Sequence, residues 1–471
     1  MNLNRHAQTI IFVTLTMLMS APSFALTLND YINLVRQKNK LFTSYDMSIE
    51  ASNDKRAAGD LELAPLLTAG YSFNRDQSLP SSLGPSREYT EYNLGLAKEF
   101  STGTLISLSA KTDQFNNPGA TYPLDQYSTG LLGIRLEQSL WKNFFGSATR
   151  LREQRQLAVN RYETLALELQ KRLLLVEAES SFWDYSVAQD DLALKKENFD
   201  RSRKLSSWTS RRVSNGISDQ SDLMSIRALA SLRELDLANA MDQMKVQELR
   251  LRENLDLAAN EPTPAIVADE SQVRPYFSEM ANKKNIIKID AYMTYLDAQS
   301  KNLSAQEVKD ALHPDLALIG GYNATSFDRN YSDMQKNMTR TDYPKSYVGV
   351  SLSWQFDTDA KSSQLAAAQK SALAAQMIAD RNSLIGRDAW LEHVRRYEVA
   401  KNNVLTMEKI AEFQRARARA EQDKFSKGRT VTLNVVTAET DAATAEVAYM
   451  TAKSNLRKLE ASTQLFISFE P

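Results

Sequence analysis

Two hydrophobic periodicities alternate along this chain. Leu28, Tyr31, Ile32 and Val35 recur at helical spacing. Asn29 or Asp30 offers a cap at the start, and Gly59 and Pro65 mark the end of a helix predicted from Leu28 to about Leu63. The texture then changes to period two. Leu67, Ala69, Tyr71 and Phe73 alternate with Thr68, Gly70, Ser72 and Asn74. The same alternation returns over 92–100, 104–110 and 132–140, which predicts strands with one apolar and one polar face within about 66–141. Pro80, Pro85, Pro118 and Pro123 place loops between them, and Ser101-Thr102-Gly103 reads as a tight turn.

From about 148 to 212 the chain has no Pro and no Gly, and apolar positions step by three and four from Ala158 to Val187. That is one helix of about 100 Å at 1.5 Å per residue. A tip at 213–222, broken by Asn215-Gly216, leads to a second helix running to 257, and the two form a hairpin. Residues 258–282, with Pro262, Pro264 and Pro275, read as a connector. The order then repeats over 283–471: a helix from about Lys284 to Leu312, strands within 315–357, a long helix over 360–426, a tip at 427–431 and a helix to 465. Ser326–Lys345 reads as a polar loop between the two strands of this half, and the C-terminal segment from Ile467 as lacking a strand. The first half covers 26–257, and its tip glycine Gly216 recurs at Gly428.

Composition narrows the chemistry. Lys+Arg is 57 and Asp+Glu is 58 in 471 residues, so no basic field exists to hold nucleic acid. Cysteine is absent, which removes disulfides, thiolate metal sites and thiol catalysis. The three histidines, His6, His313 and His393, are far apart; His313 reads as a packing or capping residue and His393 as part of a solvated helix face. No Gly-rich phosphate loop, nucleophile elbow or metal-ligand spacing is present, so no catalytic, cofactor or metal residue is assigned and no enzyme is expected. Residues 1–25 read as an export signal, with a polar start at Arg5-His6, an apolar run from Ile10 to Met19, and Ser23-Phe24-Ala25 at the cleavage positions.

An apolar strand face too small for a separate core has one economical use, which is to meet lipid while the other face lines water. A membrane sheet cannot leave open edges, because each unpaired backbone group in hydrocarbon costs several kcal/mol. Four to six strands per chain are too few for the smallest membrane barrels of about eight, so several copies must share one barrel. The predicted fold class is therefore mainly α with a β-barrel part: internally duplicated, with long coiled-coil hairpins forming a periplasmic tube and strands contributing to a shared transmembrane barrel. The competing reading is a soluble periplasmic coiled-coil scaffold. The pair 92–100 and 104–111 exceeds two strands per half; it either enlarges the barrel or folds outside it.

The order of elements resembles the outer-membrane factor family, the TolC-like exit ducts of efflux pumps and type I secretion systems. The second tip, Phe425-Ser426-Lys427-Gly428 through Asn434-Val435-Val436-Thr437-Ala438, is similar to that family's pattern, as is the first tip, Val213 to Leu223. Gln138-Ser139-Leu140-Trp141, Ser353-Trp354-Gln355-Phe356 and the start Leu26-Thr27-Leu28-Asn29-Asp30-Tyr31 also resemble family segments. The resemblance implies a homotrimer in the outer membrane of a Gram-negative bacterium, in contact with outer-membrane lipid. It implies docking of a periplasmic adaptor and, through it, an inner-membrane transporter, with gated passive conduction of small molecules or a secreted polypeptide. It implies tip docking around Gly216 and Gly428, and a gate near Asp222, Phe425, Arg429 and Thr430. Phe425 stands where the family has Tyr, and Thr430 where it has Arg, with Arg429 adjacent. The family's inward aspartates fall at Asn434 and Thr437, so the constriction is expected to prefer cations only weakly.

Overall fold

The computed structural model describes residues 26–77, 87–118, 120, 125–268, 274–340 and 344–469. The export signal expected over 1–25 lies outside the described residues. Two compact units emerge: one formed by the chain up to Phe42 with Leu174–Tyr276 and Arg396–Ser462, the other by Thr43–Leu173, Phe277–Arg395 and the C-terminal segment.

The first unit is helical. Helix α1 (Leu28–Lys38) begins at a capping box in which Thr27 and Asp30 exchange side-chain and backbone hydrogen bonds. The sequence predicts one helix to Leu63, but Asn39 interrupts it in extended conformation, with ψ 117°. Its Oδ1 accepts from the Phe42 N–H at 3.1 Å and its amide donates to the Asn254 carbonyl at 2.9 Å. A short polar side chain that satisfies backbone groups itself competes with helix continuation. Helix α2 (Lys40–Ala58) follows and from Thr43 belongs to the second unit, as does the 3₁₀ turn over Gly59–Leu63. Helix α3 (Ser147–Ser214) has 68 residues and enters this unit at Leu174, and α4 (Gln220–Asn254) returns from its tip. The core joins Tyr31 and Val35 of α1 to Phe182 of α3 and Leu251 of α4.

The second unit is built on an antiparallel sheet. Strands β1 (Leu66–Asp76), β2 (Arg87–Glu99), β3 (Thr104–Asn116) and β4 (Gln126–Ser139) come from the first half of the chain. Strands β6 (Asp315–Asp328) and β7 (Pro344–Ser353) come from the second, and the order is β1-β2-β3-β4-β6-β7. The pair left undecided by the sequence, β2 and β3, thus sits inside the sheet. Register separates the faces. Leu67 lies opposite Leu96, which pairs with Leu108, then Ile134, then Tyr322. The neighbouring row reads Thr68, Gly95, Ser109, Gly133, Asn323 and Lys345. The first row is apolar across five strands and ends at Ser346 of β7, and the second is small and polar across six. Leu67 is 66% exposed, Ile134 47% and Val348 82%.

Three expectations are corrected in this unit. The helix expected from Lys284 instead begins with a strand, β5 (Ile286–Lys288), and continues as α6 (Ile289–Ala311). The C-terminus, expected to lack a strand, forms β8 (Phe466–Ser468), paired antiparallel with β5; buried Ile286, Ile287 and Phe466 explain the pairing. The expected loop from Ser326 contains the end of β6 and a helix, α7 (Tyr331–Asn337), anchored by fully buried Met334 and by a 3.0 Å bond from Ser326 Oγ to the Met334 carbonyl. Between these elements, α5 spans Tyr276–Ala281. Helix α8 (Thr358–Ser426) has 69 residues and contributes to both units, and α9 (Thr432–Ser462) follows its tip.

Histidine 393, read from sequence as solvated, is 7% exposed. Its Nε2 lies 2.8 Å from Thr463 Oγ1, and its ring packs with Trp390 and Phe466. Charged neighbours Arg395 and Arg396 masked this in the sequence. His313 packs near Trp141, with ring centroids 6.3 Å apart.

Candidate gate at the helix tips

Both hairpin tips end their long helix by the same device. At the first, the Ile217 N–H donates to the Arg212 carbonyl at 2.9 Å and the Gly216 N–H to Val213 at 3.0 Å. At the second, Arg429 donates to Lys424 at 2.8 Å and Gly428 to Phe425 at 3.0 Å. These are paired Schellman closures. They require a left-handed residue, and Gly216 and Gly428 have φ of +71° and +70° with nothing near the missing Cβ. Glycine is there for backbone conformation rather than for space.

The gate candidates then separate into groups. Phe425 is 4% exposed. Its ring meets Trp208 edge-on at 5.1 Å, and the Arg212 guanidinium lies 5.6 Å from it and 5.2 Å from Trp208. Arg212 also reaches the Phe425 carbonyl at 3.5 Å. The ends of α3 and α8 are therefore joined by an aromatic–guanidinium stack, in which no Tyr hydroxyl is needed. Asp222 does not take part: it accepts from Ser218 Oγ at 2.9 Å within its own tip. Thr430 donates to Glu421 at 2.9 Å and accepts from the Asn434 amide at 3.1 Å. The Lys424 ammonium, followed by the Thr430 hydroxyl, holds the Glu421 carboxyl below the usual carboxylate range. Arg429 is exposed. Asn434 and Thr437 are exposed one turn apart on α9, and Thr437 Oγ1 is turned back to the Leu433 carbonyl at 2.9 Å.

Sequence reasoning did not single out Trp208 or Arg212, although their i,i+4 spacing is a legible stacking signal. Nor did it find the ties higher on the hairpins. Arg201 pairs with Glu439 at 3.4 Å, and Arg233, itself buried, donates to Thr440 at 3.1 Å. Arg415 bonds Glu446, Arg417 meets Asp441 at 2.9 Å, and Ala418, Ala438 and Ala442 let α8 and α9 approach closely. Among the described residues, no cluster of His, Asp or Glu is placed to hold a metal ion, and no helix is long and apolar enough to cross a membrane.

This combination of a strand meander with one apolar face and two long helical hairpins is the fold of the TolC-like outer-membrane channels. VceC, an outer-membrane protein of Vibrio cholerae, matches with a TM-score of 0.63 at 12% identity, over 93% of this chain and 95% of that one. The open state of the MtrE outer-membrane channel of Neisseria gonorrhoeae matches at 0.63 and 12% identity, over 93% and 88%. The outer-membrane channel OprN matches at 0.62 and 16% identity, over 93% and 89%. No protein-family model and no curated protein matches the chain.

Proposed function

We propose that the protein is an outer-membrane exit duct. One observation carries the reading: a sheet with an exposed row that is apolar across five strands, whose outer edges on β1 and β7 have no partner strand among the described residues. Such a sheet is stable only where lipid covers that face and another copy covers the edges. Three copies share the barrel, and the hairpins form a water-filled periplasmic tube. A periplasmic adaptor docks at the tips around Gly216 and Gly428 and couples the duct to an inner-membrane transporter. Small molecules or a secreted polypeptide pass by gated conduction, without chemistry in the duct itself.

The gate is the tip. Closure rests on the stack of Trp208, Arg212 and Phe425, and a cation–π contact of this kind contributes about 0.5–2 kcal/mol. Removing it by Arg212→Ala or Phe425→Ala is expected to raise the open-to-closed ratio about 2- to 30-fold, read as single-channel conductance in a planar bilayer. Unchanged conductance in both variants would place the gate elsewhere. A second expectation concerns the constriction at Asn434 and Thr437. With no carboxylate there, trivalent cations added from the tip side are expected to block weakly, and Asn434→Asp with Thr437→Asp is expected to create strong block. Strong block of the unaltered protein would count against this constriction.

A further inference from the structure

The sheet of one chain is a six-stranded meander with alternating strand direction, and β1 and β7 are its edges. Strand β7 is exposed at all ten of its positions. An even number of strands means that β7 of one copy meets β1 of the next in antiparallel sense, so copies can join head to tail without breaking the alternation. Val348 and Val350 of β7 share the face of Tyr322, and Leu67 and Ala69 of β1 share that of Leu96, so this junction keeps apolar side chains on one face. Strands β2 and β3 are not an appendage. Residues 88–99 of β2 are paired with 105–116 of β3, and all 13 residues of β3 are paired with β4.

We infer that all six strands of each chain lie in the barrel wall, so that three copies close an eighteen-stranded barrel. This rests on the shared-barrel reading above. Eighteen strands spaced ~4.8 Å and tilted ~40° enclose a backbone diameter of about 36 Å, against about 24 Å for twelve. Barrels of sixteen to eighteen strands hold an aqueous channel rather than a packed interior. The wall facing that channel carries both signs of charge. Lys111 lies 2.8 Å from Glu91 and 3.5 Å from Asp113, and Arg135 lies 2.8 Å from Glu137. Paired charges give no single-sign field, so the membrane section discriminates by size and admits bulky cargo of either charge.

The absence of native cysteine allows a direct test on the full-length protein in lipid vesicles. Single variants Leu108→Cys, Ser109→Cys and Ala110→Cys on β3 are exposed to a charged, water-soluble thiol reagent. If β3 is in the wall, Ser109→Cys reacts at least tenfold faster than its two neighbours. Equal, fast labelling at all three would put the pair outside the wall and overturn the inference. Gly133→Cys and Ile134→Cys on β4 serve as the reference. Alternation on β4 without alternation on β3 defeats the eighteen-strand count alone, whereas loss of alternation on both defeats the membrane-duct reading as well. A second measurement uses neutral polymers entering from the outer side. Deleting residues 87–116 removes one strand pair and keeps the alternation, and is expected to lower the size cut-off by roughly 10 Å. An unchanged cut-off, or a particle of two copies, would also overturn the inference.

Discussion

Replacing Ile134 by arginine is expected to abolish accumulation of the assembled protein in the outer membrane. Ile134 lies mid-strand on β4, 47% exposed in the chain, within the apolar row that links Leu108 to Tyr322. A cation on the lipid face near the bilayer midplane costs about 2–4 kcal/mol per copy, and in a symmetric assembly every copy bears it. The comparison that gives the result meaning is its sequence neighbour. Gly133 is on the opposite face, opposite Ser109 and Asn323, where its missing Cβ would meet Asn323 Oδ1 at 2.5 Å. Ser109→Arg, on that same polar face without the crowding at glycine, is expected to leave assembly intact. The readout is the amount of oligomer recovered from outer-membrane fractions. Equal recovery of the two variants would show that the apolar face is not the lipid face.

Phe182→Ala is expected to be the most destabilising single truncation in the helical unit. Phe182 is fully buried, its ring 5.6 Å from Tyr31 and 5.5 Å from Trp183. It ties α1 to the long helix α3, and Leu251 and Leu255 complete the same cluster. Removing a buried Phe side chain costs about 3–5 kcal/mol through lost burial and the cavity left behind. A helix of 68 residues gains little from its own propensity relative to such packing. The thermal midpoint followed by helical circular dichroism is expected to fall by roughly 10 °C. Phe182→Leu, which keeps most of the volume, is expected to cost under half as much. A truncation at exposed Leu235 on α4 should have little effect on the isolated chain's fold, since that side chain is 57% exposed.

Most of this architecture was legible because its elements are long and strongly periodic. Period two separated Leu67, Ala69, Tyr71 and Phe73 from their polar neighbours, and the register confirmed that they share a face with Leu94 and Leu96. The absence of Gly and Pro between Ala148 and Arg212 marked a helix that extends only one or two residues further at each end. What escaped was set by single side chains or by partners far away in the chain. Asn39 ends a helix through its own amide group, a local competition that apolar spacing does not encode. Strand β8 exists because Ile286 and Ile287, some 180 residues earlier, supply its partner. His393 sits close to Glu392, Arg395 and Arg396 in sequence but faces Trp390, Phe277 and Phe466 in space. At the helix tips, the glycines and Phe425 stood out by position, while Arg212 and Trp208 did not, because their stacking depends on the end of α8 lying against them. Asp222 accepts a hydrogen bond from Ser218 Oγ within its own tip.

The central claim is that several copies of this chain close one barrel in the outer membrane. The most direct measurement is the mass of the particle extracted in mild detergent from the outer-membrane fraction, with bound detergent subtracted. Three copies of the chain are expected, since six strands per copy leave two open edges that only neighbouring copies can cover in hydrocarbon. A soluble monomer or dimer, with nothing recovered from the membrane, would contradict the account, and the exposed apolar face of the sheet would then require a different cover.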